Sequence, residues 1–403
     1  ELAVHDEPDV GGTSFDVGLV VDGELQYTSG ARVKRHSLAI PVVEVSSIGT
    51  GGGSIAWIDP ATGGLRVGPQ SAGAEPGPIC YGRGGEKPTV TDAACVLGYL
   101  ERIGHLQRLD RESATRLLLE AIAAPLGMRV EEAAEGILQV ANSQMADLIR
   151  RMTVLRGRDP ARFSLYAYGG AAAQYAGRYA AELGVGEVLI PRAASVFSAY
   201  GAATSDLLIR IEEPAPGLDP LKDHEAIAGR LEELRRAALN VVGGAPEGRP
   251  SLRYRAGLRF RRQVHEYQVE IDPPPLGADA AGRLIERFRR EYEQVVGSGS
   301  AYMGAEVELV SLTAELRLPM LEPAAPSPDP PPGPAPAPAR ARARRAWFEG
   351  AAASRPVYEA GSMAPGGLVV GPCFVELPTT TVVVYPGQQL RADAEGTLWL
   401  RLR

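Results

Sequence analysis

Three glycine turns, each set at the end of a β-type stretch, constrain this chain more than any other feature. They are "DVGGTSFDV" (9–17), "IGTGGGS" (48–54) and "YAYGGAAAQYA" (166–176). The third is the most restrictive. "RFSLYAYGG" reads as a strand, "AAAQYAGRYAAELG" as a helix stopped by Gly184, and "VGEVLIP" as another strand. Strand, helix, strand with glycines at the first junction is an α/β unit with its ligand end at that junction.

Each turn has two readings when taken alone. Asp9, Gly11, Gly12 and Thr13 suit a loop whose backbone N–H groups face phosphate oxygens, or a tight turn between two strands. This is not a P-loop, because no GK[ST] follows. Gly169 and Gly170 suit an adenosine or phosphate at a helix N-terminus, or close helix–strand packing. Three such turns within one α/β region favour a shared ligand over coincidence. Asp92, in "PTVTDA", reads either as a magnesium ligand or as the N-cap of the following helix.

At 403 residues the chain should divide into two or three domains. The net charge of −7 gives no electrostatic case for nucleic acid or an anionic membrane. No apolar run approaches the roughly 20 residues that span a bilayer. Cys80, Cys95 and Cys373 fit neither a CxxC metal site nor a disulfide framework, so a reducing, cytoplasmic setting is expected. The histidines are scattered, and no Ser-His-Asp arrangement can be drawn.

Along the chain, "DVGLVVDGELQYTSG" predicts a hairpin about Asp22-Gly23. "VGPQSAGAEPGPICYGRGGEKPTVTDA" is long and aperiodic, which inside a compact domain points to function. Ile137, Val140, Met145, Leu148, Ile149 and Met152 mark one face of a long helix that Asp159-Pro160 ends. From Leu207 the pattern becomes α+β. The expected division is an ATPase-type lobe over 1–206, an α+β domain over 207–320, a Pro/Ala/Arg-rich linker over 321–346 with solvated arginines, and a small β module over 347–403.

The ordered set "DVGGTSFDV", "SIGTGGGSIAWID", "RVGPQSAGAEPGPICYGRGGEKPTVTDA", "RFSLYAYGGAAAQYA" and "ASVFSAYGAATSD", with the tail "GPCFVELPTTTVVVYPGQ", resembles the hydantoinase A/5-oxoprolinase family. That resemblance implies an α/β fold of the actin-like, sugar-kinase and Hsp70 type, with ATP and Mg²⁺ as cofactors. It implies ring opening of a cyclic amide such as hydantoin or 5-oxoproline through carbonyl phosphorylation. A ketone carboxylase of the acetone or acetophenone type is the alternative, favoured by "GSGSAYMGAE" (297–306).

By position, Asp9 and Asp16 take the family's catalytic places. Gly11, Gly12, Thr13, Gly51, Gly52, Gly53, Gly169 and Gly170 take its nucleotide-binding places, and Asp92 its metal place. The resemblance also implies an N-terminal lobe, on this chain or a separate subunit, that supplies most of a second divalent metal site. A hydantoinase B-like subunit in a hetero-oligomer is implied as well. Tyr175 and Ser46 stand where relatives often carry histidine, and "VHDEPD" is poor material for a buried strand. Those departures motivate a third reading, a degenerate, non-catalytic paralogue.

Overall fold

The computed structural model describes residues 5–28, 32–33, 36–37, 42–103, 107–243, 250–264, 266–276, 279–297, 299–301, 304–320 and 342–402. The chain divides into two units, Glu1–Tyr200 with Ala325–Arg403, and Gly201–Ala324.

The first unit begins with the hairpin read from its turn. β1 (His5–Val10) and β2 (Phe15–Val21) run antiparallel, and Asp22 and Gly23 then take φ of 55° and 78°. Two successive left-handed residues match the twist of a tight hairpin, so β3 (Glu24–Leu25) folds back on β2. The polar run "HDEPD" is a strand after all. Its backbone pairs with β2 on one side and, in parallel, with the strand Ser164–Tyr166 on the other, so hydrogen bonding overrides poor strand composition. β4 (Val45–Ile48) also pairs with β2, and β5 (Ser54–Ile58) follows the second glycine turn.

Three helices position the site: α1 (Val90–Val96), α2 (Val130–Thr153) and α3 (Ala172–Glu182). On α2, Ile137, Met145, Leu148, Ile149 and Met152 are buried and Val140 packs partly against the same core, as the spacing predicts. The strand–helix–strand unit is β6 (Ser164–Tyr166), α3 and β7 (Glu187–Ile190), with the two strands parallel. This is an α/β ATPase-like fold.

The second unit is α+β. Four antiparallel strands, Leu207–Pro214, Val307–Leu318, Ser251–Phe260 and Tyr267–Ile271, lie in that order across one sheet. Helices His224–Val241 and Ala280–Val296 contribute Leu231, Leu284 and Phe288 to its core.

The C-terminal residues depart from the expected separate module. Strands Gln389–Ala392 and Leu398–Arg401 extend the main sheet of the first unit, the latter antiparallel to β7. Leu390, Leu398 and Leu400 share one core with Val10 and Phe15 at the other end of the sequence. The reason is physical: β7 would otherwise be a bare sheet edge. Strands Arg342–Phe348, Ala351–Glu359, Cys373–Glu376 and Thr381–Val384 make a second sheet in the same unit.

Most of the expected linker lies outside the described residues, but its last five, Arg342 to Ala346, belong to a strand. Arg344 is 3% exposed and not a solvated arginine. It donates to the Tyr99 carbonyl at 3.0 Å and to Glu376, with Glu101 alongside. Glu101 and Glu376 are part-exposed and also pair with Arg342, so removing Arg344 costs mainly its packing on Phe374 and its bond to the Tyr99 carbonyl. Arg344→Ala is therefore expected to destabilise the first unit by about 1–3 kcal/mol, read as a lowered melting temperature, whereas exposed Arg345→Ala changes its stability by less than about 0.5 kcal/mol. Equal melting temperatures for the two variants would contradict this role.

Candidate functional site: a glycine-lined cleft

The three glycine turns meet. Gly52 N–H donates to the Gly11 carbonyl at 3.1 Å, and Gly53 N–H to the Gly12 carbonyl at 2.6 Å. Val10 N–H donates to Tyr168 O, and Ala171 N–H returns to Val10 O, both at 3.0 Å. Thr91, in the first turn of α1, donates to the Gly52 carbonyl through both its N–H and its hydroxyl at 2.8 Å. Backbone thus laces 9–13, 51–53 and 168–171 into one rim.

The glycines there have two distinct jobs. A Cβ on Gly51 would lie 2.8 Å from Gly11 O and 2.9 Å from Thr13 N. One on Gly53 would lie 2.8 Å from Gly12 O, and one on Gly52 2.7 Å from the Thr91 hydroxyl. Gly169, with φ of 91°, would press on Asp9 and on the Val10 carbonyl. Gly51, Gly53 and Gly169 are glycine so that loop can pack on loop, whereas Gly52 leaves room for the Thr91 hydroxyl of α1 and also lines the cleft. Gly11, Gly12 and Gly170 are different, because a Cβ there meets nothing within 4 Å. They line a cleft of about 670 Å³ within the first unit, where backbone can come close to a ligand. Thr13 stands exposed on the same loop.

Asp9 and Asp16 are cross-strand partners in the β1–β2 ladder, so the two carboxylates share one face of the sheet. The Ser198 hydroxyl donates to Asp9 at 3.3 Å, while Ser14 (2.8 Å) and Ser47 donate to Asp16. Burial, and then the charge of Asp16, push the Asp9 carboxyl above its ordinary range. Two opposed carboxylates beside a phosphate-type loop suit a hydrated Mg²⁺, which is typically held by one or two carboxylates plus phosphate oxygens. Among the described residues no three His, Cys, Asp or Glu side chains group to hold a metal by themselves.

Asp92 does not serve as a metal ligand here. It is 0% exposed, and its carboxylate accepts from Ile79 N (3.2 Å), Cys80 N (2.7 Å), Thr89 N (2.9 Å) and the Thr89 hydroxyl (2.7 Å). Nor is it the N-cap of α1. Thr89 is the cap, and Asp92 is the third helical residue of a capping box. Four donors saturate it. Its task is to tie the long aperiodic segment 67–93 to the helix beneath the cleft.

Sequence reasoning missed the opposite wall. Thr379 and Thr380, from "LPTTT", line the cleft, and the Thr380 hydroxyl donates to Gly170 O at 3.0 Å. The clue was the tail motif itself, since three consecutive threonines after Pro378 are unusual in a solvated turn. Tyr175 is fully buried, consistent with a packing role. The three cysteines are free and buried, and no helix among the described residues is long and apolar enough to cross a membrane.

The division of labour among the glycines is testable. Gly51→Ala is expected to lower stability by about 1–3 kcal/mol, because backbone on the facing loop must move. Gly12→Ala, whose added methyl meets open space, is expected to leave stability within about 1 kcal/mol of wild type. Equal melting temperatures for the two variants would contradict the assignment.

Comparison with known proteins agrees with this architecture. The hydantoinase/oxoprolinase model matches residues 8–211, and the hydantoinase/oxoprolinase C-terminal domain model matches 231–402. The chain is 35% identical to the caprolactamase subunit alpha of Pseudomonas jessenii, over 96% of this chain and 57% of that one. It is 30% identical to the acetone carboxylase beta subunit of Xanthobacter autotrophicus, over 98% of this chain and 57% of that one. The nucleotide-free structure of an acetone carboxylase superposes with a TM-score of 0.86 at 28% identity, over 100% of this chain and 59% of that one. The ATP-dependent caprolactamase from P. jessenii superposes with a TM-score of 0.75 at 34% identity, over 99% of this chain and 58% of that one. The chain thus spans little more than half the length of these relatives. It belongs to the hydantoinase/oxoprolinase family.

Proposed function

We propose that this chain supplies the phosphate- and adenosine-binding half of an ATP-driven hydrolase that opens a cyclic amide. The observation that carries the reading is the convergence of Gly11, Gly12 and Gly170 on one cleft, next to the opposed Asp9 and Asp16. An amide carbon is a poor electrophile. Bound ATP would supply a phosphoryl group to the carbonyl oxygen, with ADP leaving. Water would then add at the carbon, and the ring C–N bond would break as the nitrogen takes a proton. A second water would release the phosphoryl group of the resulting acyl phosphate as inorganic phosphate. The chain's own contribution is positioning and charge. Gly11 and Gly12 leave their backbone clear for phosphate oxygens. Asp9 and Asp16 would hold a hydrated Mg²⁺ there, neutralising phosphate charge, and the serine hydroxyls fix the carboxylate orientations. A cyclic amide is favoured because the relative at 35% identity is a caprolactamase subunit.

A ketone carboxylase is the second reading, supported by the TM-score of 0.86 with an acetone carboxylase. Part of the "GSGSAYMGAE" stretch that motivated it lies outside the described residues. Amide-stimulated and ketone-plus-bicarbonate-stimulated ATP consumption, assayed with a hydantoinase B-like subunit and the preceding lobe, separates the two. Lactam-dependent ADP release supports the hydrolase. Stimulation by ketone and bicarbonate alone overturns it.

Asp9 gives a second test with opposite signs. Its carboxyl is raised in the folded state, so the stability it contributes is full below the unfolded aspartate pKa and is lost as pH rises through the folded value. Asp9→Asn removes that loss. At pH 7 the variant is expected to melt no lower than wild type, and its melting temperature to fall less than that of wild type as pH rises from about 4 to 7. Its Mg²⁺-dependent nucleotide binding is expected to drop at least about tenfold. A variant that melts much lower yet still binds Mg-ATP normally would place Asp9 in the scaffold.

A further inference from the structure

Gln174 is an anomaly in the cleft. It lies in the first turn of α3, four residues beyond Gly170, and lines the same cavity as Gly11, Gly12 and Thr380. It is 5% exposed, and its Oε1 is out of solvent's reach and finds no hydrogen-bond partner in the protein.

Two other glutamines of the same unit show that the fold can satisfy this side chain. Gln388 donates from Nε2 to Gly177 O at 2.6 Å, and its Oε1 accepts from Tyr385 N–H at 3.1 Å. Gln144 accepts from the Thr50 hydroxyl at 2.6 Å and donates to Val67 O at 3.1 Å. Gln174 differs because its main chain is held while its amide is not. Its N–H donates to Ala171 O at 3.0 Å, and its carbonyl accepts from the Tyr385 hydroxyl at 3.3 Å. The carboxamide can turn about its soft terminal torsion toward the cavity.

We infer that Gln174 reads the base of the bound nucleotide, its Oε1 accepting from the 6-amino group of adenine while its Nε2 donates to the neighbouring ring nitrogen. The inference rests on the cleft being a nucleotide site, as proposed above. A carboxamide presents a donor and an acceptor side by side, and the amino-plus-ring-nitrogen edge of adenine is its complement. The placement also fits: Gly11 and Gly12 would meet the phosphates and Gly170 the adenosine at the uncapped start of α3, and Gln174 stands one turn further along the same helix. A base lacking the 6-amino group offers Oε1 no donor. Sites built to hydrogen-bond a particular group reject analogues without it far better than apolar pockets reject a size change.

The test compares Mg-ATP with Mg-purine-riboside triphosphate, which lacks only the 6-amino group, by calorimetric titration of the full chain. Wild type is expected to bind the analogue at least about tenfold more weakly. Gln174→Leu and Gln174→Met bring the two affinities within about threefold, without lowering the melting temperature, because each removes an unsatisfied polar group. Gln388→Leu, which breaks two satisfied hydrogen bonds, lowers the melting temperature and leaves the ratio unchanged. Equal affinities in wild type, or discrimination that persists in both Gln174 variants, would overturn the inference while leaving the nucleotide site intact. Failure of wild type to bind either triphosphate would overturn the nucleotide site itself, and the inference with it.

Discussion

Two backbone hydrogen bonds, Gly52 N–H to Gly11 O and Gly53 N–H to Gly12 O, are the contact on which the rest of the site depends. They press one glycine loop onto another at separations no side chain tolerates. With the second loop fixed, the first is held at the end of the β1–β2 hairpin with its open side toward the cleft. The same hairpin sets Asp9 opposite Asp16, so one register decides both the cradle and the carboxylate pair. Helix α3 then enters from the far side, its start tied to Val10 through Ala171. Backbone hydrogen bonds thus fix the loops on three sides of the cleft.

The C-terminal segment completes this arrangement from nearly two hundred residues away. Its strands close the exposed edge of the main sheet, and its threonine loop supplies the wall opposite the glycines. Arg344 fastens the join, buried between Glu101 and Glu376 and stacked over Phe374. The cleft is therefore a joint product of the two ends of the sequence. A family model for the C-terminal domain that begins at residue 231 and runs to 402 crosses this physical boundary, because its last part folds with the first unit.

Local chemistry was the legible part of the sequence. Asp22-Gly23 announced its turn, the apolar face of residues 137–152 announced its helix, and strand–glycine–helix at 164–182 announced a parallel pair. The three glycine turns were recognisable as related, although which glycines pack and which face a ligand was not. That distinction depends on what lies within 3 Å across the fold, and sequence spacing carries no such information. Asp92 illustrates the limit. An aspartate ahead of an apolar helix has the same appearance whether it caps, binds magnesium or, as here, gathers donors from Ile79, Cys80 and Thr89. Arg344 illustrates it again, since its alternating Arg-Ala context resembled a solvated tract until its partners at 99, 101 and 376 were in view. Gln174 was hidden inside a motif that had been read for its glycines.

The central claim, a proposal, is that Gly11, Gly12 and Gly170 face the nucleotide, Gly51, Gly53 and Gly169 hold the loops together, and Gly52 does both. A crystal structure of the chain with a non-hydrolysable ATP analogue and Mg²⁺ tests it most directly. The account predicts phosphate density within hydrogen-bonding distance of the Gly11–Thr13 backbone and the start of α3, with the cation beside Asp9 and Asp16. Ordered nucleotide elsewhere on the first unit, with this cleft empty, would contradict it.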